Sequence, residues 1–173
     1  MNCARADKLR AALLIAVTFS IGGCGGAVRA GPTLGPVPIE ARIFQDNAGG
    51  IRSASERVIR DLTTWEQVWQ EATSTQATRP ALPDVDFERQ MLLLVSAGRL
   101  SVVDRINVDS VGTRQEISEA GRRQEVLAVY YTILRGCPPS TREAFPIEIV
   151  RVRRFADNVR FLSVTVPGPG CRG

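Results

Sequence analysis

The sequence contains no histidine, and this absence excludes several common catalytic and metal-binding chemistries. Serine and cysteine triads that use an imidazole base, and zinc sites built from histidine, cannot form. The GxSxG, HExxH and P-loop motifs are also missing. Asp84 and Asp86 are candidate catalytic carboxylates, but in an extended segment so short a spacing does not make them converge on one pocket. We therefore expect a non-catalytic protein with no cofactor and no bound metal.

The sequence also lacks a concentration of charge. Its 22 basic and 18 acidic residues give a formal net charge of +4, and removal of residues 1–23 would lower this charge to +2. The basic residues are spread along the chain, and only Lys8 is a lysine. Because nucleic-acid-binding domains carry a strongly basic face, we expect no nucleic-acid partner.

The N-terminal apolar run, residues 11–21, is too short to cross roughly 30 Å of hydrocarbon as a helix. It follows Arg5, Lys8 and Arg10, as the core of a signal peptide follows its positive segment. The run ends in Ile21-Gly22-Gly23-Cys24, which resembles the lipobox of bacterial lipoproteins. The resemblance implies cleavage before Cys24 and acylation of its thiol. The alternative is an ordinary secretory peptide that is cleaved elsewhere.

Acylation of Cys24 would make the lipid bilayer a partner of the protein. It would hold the protein at a cell membrane or outer membrane, on the extracytoplasmic side. Residues 24–38 are rich in glycine and proline, which predicts a flexible tether. We expect residues 39–173 to form a single domain, since their number suits one hydrophobic core.

Few cysteines remain for this domain. Cys3 would leave with the signal peptide and Cys24 would be acylated, so that only Cys137 and Cys171 are left. An exported protein folds in an oxidising compartment, which favours a disulfide between these two residues. The alternative is metal binding, for which two isolated thiols make a weak site.

One amphipathic helix is predicted over residues 63–72. Thr63 and Glu66 have the spacing of a capping box, in which each side chain satisfies a free backbone amide at the start of a helix. The apolar positions that follow share one helical face: Trp65, Val68, Trp69 and Ala72. We interpret both tryptophans as core residues beneath a sheet, and the alternative is an aromatic platform for a ligand.

The rest of the domain carries the signals of β-strands. The unbroken apolar run 91–95 predicts a central strand that ends at Gly98, and residues 126–134 predict a second central strand. Extended segments on both sides of residues 47–50 predict a hairpin. Further strands are predicted at 102–111, 146–152 and 159–166. Together these signals predict an α+β fold, a mostly antiparallel β-sheet with one amphipathic helix packed on it.

Several sequence motifs follow one another along the domain: Thr-Trp-Glu-x-x-Trp in the helix, Pro-x-Val-Asp-Phe-Glu at 83–88, Cys-Pro-Pro at 137–139, Pro-Ile-Glu-Ile-Val at 146–150 and Val-x-Phe at 159–161. In this order they resemble the C-terminal domain of the protease-complex subunit PrcB family. The resemblance covers roughly residues 60–165. It implies that Asp86 caps the start of the strand at 91–95 and that Phe87 packs inward.

The resemblance implies an accessory, non-proteolytic subunit of an envelope protease complex. Loop 99–105 replaces a Gly-Gly-Tyr-like turn of that family and is our candidate partner loop. Its candidate contact residues are Arg99, Leu100, Asp104 and Arg105. The expected partner is an envelope protein such as a protease. Two alternatives stay open: an inhibitor-like domain that presents loop 99–105 or 135–146 to a protease, and a small-ligand pocket beside Trp65 or Trp69.

Overall fold

The structure, a computed structural model, describes residues 33–118, 120–156, 158–168 and 171. The described residues form ten β-strands and one α-helix. In chain order these are β1 (Thr33–Val37), β2 (Ala41–Asp46), β3 (Ala54–Ile59), α1 (Leu62–Ala72), β4 (Gln90–Ala97), β5 (Leu100–Ser101), β6 (Arg105–Ile117), β7 (Arg123–Arg135), β8 (Glu143–Ala144), β9 (Ile147–Arg153) and β10 (Val159–Pro167).

Eight of these strands form two four-stranded sheets that pack face to face. The front sheet has the order β1-β6-β7-β10, and the back sheet has the order β2-β9-β4-β3. Strands β5 and β8 form a short two-stranded ribbon, and helix α1 packs on the outer face of the back sheet. The prediction of a mostly antiparallel β-structure with one helix is confirmed, but the strands form two packed sheets where a single sheet is predicted. No helix of the described residues is long and apolar enough to cross a membrane.

Strand β4 shows why a central strand reads as an unbroken apolar run. Successive side chains of a strand point to opposite faces of the sheet. Met91, Leu93 and Val95 enter the core between the two sheets, whereas Leu92 and Leu94 face helix α1. All five side chains are fully buried. The prediction of a central strand at 91–95 is confirmed, and Gly98 follows its end with a positive φ of 68°.

Helix α1 begins at Leu62 and is capped by Asp61. The Asp61 carboxylate accepts hydrogen bonds from the backbone N–H of Thr64 at 2.8 Å and from the Thr64 hydroxyl at 2.9 Å. These bonds lower the pKa of Asp61. The predicted capping box of Thr63 and Glu66 is wrong, because Thr63 already lies inside the first turn. A carboxylate is as good an N-cap as a hydroxyl, and its charge suits the positive end of the helix dipole.

Residues 47–50 do not form the predicted hairpin. The flanking strands β2 and β3 lie at opposite edges of the back sheet, where they pair with β9 and β4. Gly49 and Gly50 are needed for close packing instead. A Cβ atom on Gly49 would lie 2.1 Å from the Ile147 side chain, and one on Gly50 would lie 2.0 Å from the carbonyl oxygen of Glu71. The two glycines therefore mark a close backbone approach between elements.

Strand β1 lies within the segment predicted to be a tether. Residues 33–37 pair with β6, from Thr33 opposite Arg114 to Val37 opposite Val111. Val37 is buried in the core between the sheets. The predicted tether boundary at residue 38 is thus too late, because glycine and proline are tolerated in a strand at the edge of a sheet.

The front sheet is mixed, since β10 runs parallel to β7. Between these two strands the chain crosses to the back sheet and forms β9. β10 is the last strand of the front sheet among the described residues. The strands predicted at 126–134, 146–152 and 159–166 are confirmed as β7, β9 and β10.

A buried ion pair links the two sheets at the place where β1 ends. Glu148 on β9 is fully buried between the sheets and pairs with Arg42 on β2, whose side chain is 40% exposed. The Glu148 carboxylate accepts a hydrogen bond from the backbone N–H of Val108 at 2.6 Å, and Arg42 donates to the Val108 carbonyl at 2.9 Å. One ion pair therefore satisfies both the N–H and the carbonyl of Val108. The pairing of β1 with β6 ends at Val111, so β1 does not reach Val108.

Other side chains of the β2 segment continue this contact along β6. Gln45 donates to the carbonyl of Ile106 at 3.4 Å, and Asn47 donates to those of Asp104 and Val102 at 3.0 and 3.2 Å. Buried or half-buried backbone carbonyls need such partners where strand pairing stops. Side chains from the back sheet thus take the place of a neighbouring strand along this part of β6.

We predict that Arg42→Met lowers the free energy of unfolding by about 3 kcal/mol, because it leaves the Glu148 carboxylate buried without its countercharge. Adding Glu148→Gln to Arg42→Met removes that charge and should restore part of the loss. Urea denaturation of the domain that begins at β1 measures the free energy of unfolding of both variants.

Arg57→Met is the matched control, since the side chains of Arg57 and Arg42 are similarly exposed, at 34% and 40%, but Glu71 is 44% exposed whereas Glu148 is fully buried. Its loss should stay below about 1 kcal/mol. An equal loss for Arg42→Met and Arg57→Met, or a double variant less stable than Arg42→Met, would contradict the role assigned to the buried pair.

Candidate functional site

The predicted partner loop 99–105 meets a second loop, residues 135–143, at one end of the two sheets. Arg105 and Leu134 lie opposite each other there, and we call this end the loop end. The two loops enclose a surface groove of about 540 Å³, which we call the loop groove. Its lining residues are Arg99, Leu100, Ser101, Asp104, Arg135, Gly136, Cys137, Pro139, Ser140, Thr141, Arg142 and Glu143.

Backbone and side-chain hydrogen bonds hold the two loops together. Strands β5 and β8 pair antiparallel, and the N–H of Val102 extends the ribbon by donating to the carbonyl of Arg142 at 2.9 Å. The Ser101 hydroxyl accepts from the N–H of Ser140 at 3.1 Å and donates to the Ser140 carbonyl at 3.0 Å. The loops are thus a cross-linked pair whose shape is set before any partner binds, which reduces the entropy lost on binding.

Asp104 is the buried centre of this pair. Its carboxylate accepts hydrogen bonds from the N–H of Ser101 at 3.0 Å, the N–H of Gly136 at 2.9 Å and the Arg135 guanidinium at 2.8 Å. Burial by itself would raise the pKa of Asp104, but the bonds from Ser101, Arg135 and Gly136 together lower the pKa below its usual value. Only 3% of the residue is exposed. The prediction of Asp104 as a partner contact is therefore wrong, because its carboxylate is used to join the two loops.

A disulfide fixes the same end of the molecule. Cys137 and Cys171 are bonded, with an S–S distance of 1.99 Å and 5.4 Å between Cα atoms, as predicted. The bond links residues that are 34 positions apart in the sequence and fastens the chain beyond β10 to the second loop. Next to it, Gly136 packs so tightly that a Cβ atom would lie 2.3 Å from the carbonyl oxygen of Val103.

The other residues of the predicted partner loop lie nearer the surface. Arg99 is 73% exposed and pairs with Glu143 across the ribbon at 3.2 Å. Leu100 is half-buried within the groove. Arg105 is exposed, and its guanidinium donates to the carbonyls of Val102 and Asp104, each at 2.7 Å. Arg99, Leu100 and Arg105 are thus brought to one end of the domain, with the first two lining the groove.

The second loop supplies most of the exposed surface. Pro138, Pro139, Thr141 and Arg142 are all exposed, and the last three line the groove. A rigid rim of proline beside arginine offers apolar contact and hydrogen-bond donors to a partner surface, a combination common at protein interfaces. Ser101, Arg135 and Ser140 lie within the two loops that the sequence indicates, but no sequence signal singles them out, since a lone serine or arginine does not reveal a distant partner.

The predicted structural motif residues lie away from the groove and serve the core. Trp65 and Trp69 are 0% and 4% exposed, and they pack on each other with ring centroids 5.1 Å apart. Their indole N–H groups donate to the carbonyls of Pro83 and Pro80, at 3.0 and 3.1 Å. Both rings are therefore occupied by the core, as predicted, and they leave no open face as an aromatic platform.

Asp86 and Phe87 form the turn that leads into β4. The Asp86 carboxylate accepts from the N–H of Glu88 at 3.1 Å, and its carbonyl accepts from the N–H of Gln90 at 2.7 Å. Phe87 is half-buried against the cluster beneath helix α1. Phe87 thus packs inward, whereas the Asp86 carboxylate caps the turn that precedes β4 and does not bond the strand itself. Cys24, the predicted lipidation site, lies outside the described residues.

The chain matches no protein-family model, no curated protein and no solved structure among those with which it was compared. Among the described residues, no group of three or more cysteine, aspartate and glutamate side chains is arranged to hold a metal ion. The proposed function therefore rests on the structure of the loop groove and on the sequence.

We predict that Asp104→Asn lowers the free energy of unfolding at pH 7 by about 2 kcal/mol, because an amide cannot accept all three hydrogen bonds as a carboxylate does. The folded-state pKa is lowered from 3.8, so the carboxylate stabilises the fold above that pH and loses its effect as the pH falls through the folded value. The difference between wild type and variant should therefore shrink below about pH 4. Denaturation at several pH values measures this.

Asp109→Asn serves as the control, since Asp109 is exposed and its carboxylate accepts hydrogen bonds from the side chains of Asn107 and Thr132. Its effect should stay within about 0.5 kcal/mol. If Asp104→Asn is as mild as this control, or its cost does not change with pH, the two loops are not held together by the Asp104 carboxylate.

Proposed function

We propose that the protein is a lipid-anchored, non-catalytic interaction module that binds an envelope protein through the loop groove. The observation that carries this proposal is the construction of the groove. Two loops distant in sequence are joined by hydrogen bonds, a buried carboxylate and a disulfide, yet their rim of Pro138, Pro139 and Arg142 is left exposed. Such rigid, exposed loops on a sheet scaffold are the usual carriers of recognition.

The proposed anchor rests on the sequence Ile21-Gly22-Gly23-Cys24. A diacylglyceryl group on the Cys24 thiol, with a further acyl chain on the amine that cleavage frees, would give stable attachment to a bilayer. Attachment confines the domain to the membrane surface and raises its effective concentration towards other envelope proteins. Even a small groove can then support a useful complex.

Within this proposal, the resemblance to the PrcB family favours a protease complex as the assembly in which the module takes part. The proposed role there is that of an accessory subunit. Two polar groups of the groove are already in use: the Ser101 hydroxyl is bonded to Ser140, and the Asp104 carboxylate, whose pKa is lowered by its donors, joins the two loops. These contacts support a binding role and not a catalytic one.

A second candidate function is inhibition of the protease. The observation that favours it is the exposed Cys137-Pro138-Pro139 segment, which the disulfide to Cys171 holds in a fixed shape. A preorganised loop of this kind enters a protease cleft at little entropic cost. Loss of protease activity in proportion to added domain would identify this role, whereas an accessory subunit leaves that activity unchanged or higher.

We expect a pull-down of the tagged, acylated protein from gently solubilised native envelopes to recover one protein in near-stoichiometric amount. Arg142→Glu should reduce the recovered amount about tenfold, since a charge reversal on an exposed rim weakens contact without touching the core. Mass spectrometry identifies and quantifies the partner.

Arg79→Glu is the matched control, because Arg79 is also exposed but lies in the segment after helix α1, outside the groove. It should leave recovery unchanged. Equal recovery with Arg142→Glu and wild type would exclude the loop groove as the contact surface. Recovery of the protein alone would contradict the proposal that it binds an envelope protein.

A further inference from the structure

The turn between β6 and β7 forms the end of the molecule opposite to the loop groove, and we call it the hairpin end. β6 has 13 residues and runs from Arg105, at the loop end, to Ile117. At about 3.3 Å per residue these two positions are about 40 Å apart. Ile117 pairs with Arg123 across the hairpin, and Gly121 makes the turn with a positive φ of 72°.

Strand β1 also begins near the hairpin end. Thr33, the first residue of β1, pairs with Arg114, only three positions before Ile117. Nine steps along the chain separate Thr33 from Cys24, and fully extended they span at most about 31 Å. A bilayer at the hairpin end lies within easy reach of a lipid on Cys24. A bilayer at the loop end would require this segment to extend almost fully along β6, which costs conformational entropy.

The hairpin end carries apolar and basic side chains suited to a bilayer surface. Ile117 is 75% exposed, more than the other exposed large hydrophobic residues of the described chain, Leu62, Leu82 and Val164. Beside it lies a depression of about 580 Å³ lined in part by Arg122, Arg123 and Arg160. An exposed isoleucine inserts among acyl chains, and neighbouring guanidinium groups bind the phosphates above them.

Acidic residues keep this end from being strongly cationic. Glu116 is paired with both Arg114 and Arg160, and Glu125 is exposed nearby on β7. Glu119 stands in the same stretch of sequence. Arg122 and Arg123 therefore offer individual hydrogen bonds to lipid phosphates, but they do not give this end a strong positive electrostatic potential. Such an end would orient a protein that is already anchored by lipid, but would not recruit it from solution.

From these observations we infer that the hairpin end, through Ile117, Arg122 and Arg123, lies against the phospholipid bilayer that holds the acylated Cys24. The inference rests on the proposed lipid anchor. It gives the domain a fixed orientation, in which the loop groove faces away from the bilayer at a height of about 40 Å, set by the length of β6.

Tryptophan fluorescence tests the inference. The acylated protein is reconstituted into phosphatidylethanolamine–phosphatidylglycerol vesicles that carry brominated acyl chains, which quench nearby indole rings. The native Trp65 and Trp69 are buried and form a constant background. The emission of Ile117→Trp should be lower in these vesicles than in vesicles without bromine.

Val164→Trp is the matched control. Val164 is also a β-branched strand residue and is 57% exposed, but it pairs with Thr132, near the loop end.

Quenching of Ile117→Trp without quenching of Val164→Trp supports the orientation. Equal quenching of both variants, which indicates a domain lying on its side, overturns it, and so does quenching of Val164→Trp alone. Absence of quenching in vesicles that carry the protein overturns the inference while leaving the anchor intact. Flotation with Cys24→Ser as a control separates the two claims. If wild type does not float with the vesicles, the proposed anchor fails, and the inference fails with it.

Discussion

The buried pair of Glu148 and Arg42 is the contact on which the arrangement of the two sheets depends. Strand β1 leaves β6 after Val111, and beyond that point β6 has no neighbouring strand on that side. An unpaired backbone in the half-buried space between two sheets would lose hydrogen bonds to water without replacing them. Glu148 and Arg42 supply those bonds to Val108 from the opposite sheet. The ion pair thereby fixes the position of the back sheet along β6.

This constraint also positions the loop end. The line of donors that starts at Arg42 continues through Gln45 to Asn47, which holds the backbone of Val102 and Asp104. The carboxylate of Asp104 then holds the second loop through Gly136 and Arg135. One continuous set of polar contacts thus runs from the core between the sheets to the groove. The apolar core gives stability, while these contacts give the loops their shape.

Sequence reasoning succeeded where the signal is local. The apolar run of β4 and the helical spacing of Trp65 and Trp69 report burial directly, and a pair of cysteines left over in a chain that is expected to be exported has few alternatives. It failed where the partner is distant. Gly49 and Gly50 predict a hairpin turn, although the atoms they contact belong to Ile147 and to the end of helix α1. The sequence indicates loops 99–105 and 135–146 separately, but it does not show that they form one groove. The contact between Ser101 and Ser140 spans 39 positions and leaves no local signal.

The central claim is that the loop groove is the surface that binds another protein. Site-specific photo-crosslinking tests it most directly, with a benzophenone side chain placed at position 139 of the acylated protein and irradiated in native envelopes. Pro139 lies exposed on the groove, and position 79, in the segment after helix α1, is the comparison site, because Arg79 is exposed and lies outside the groove. The account predicts a discrete protein adduct from position 139 and none from position 79. An adduct from position 79 with none from position 139 would contradict it.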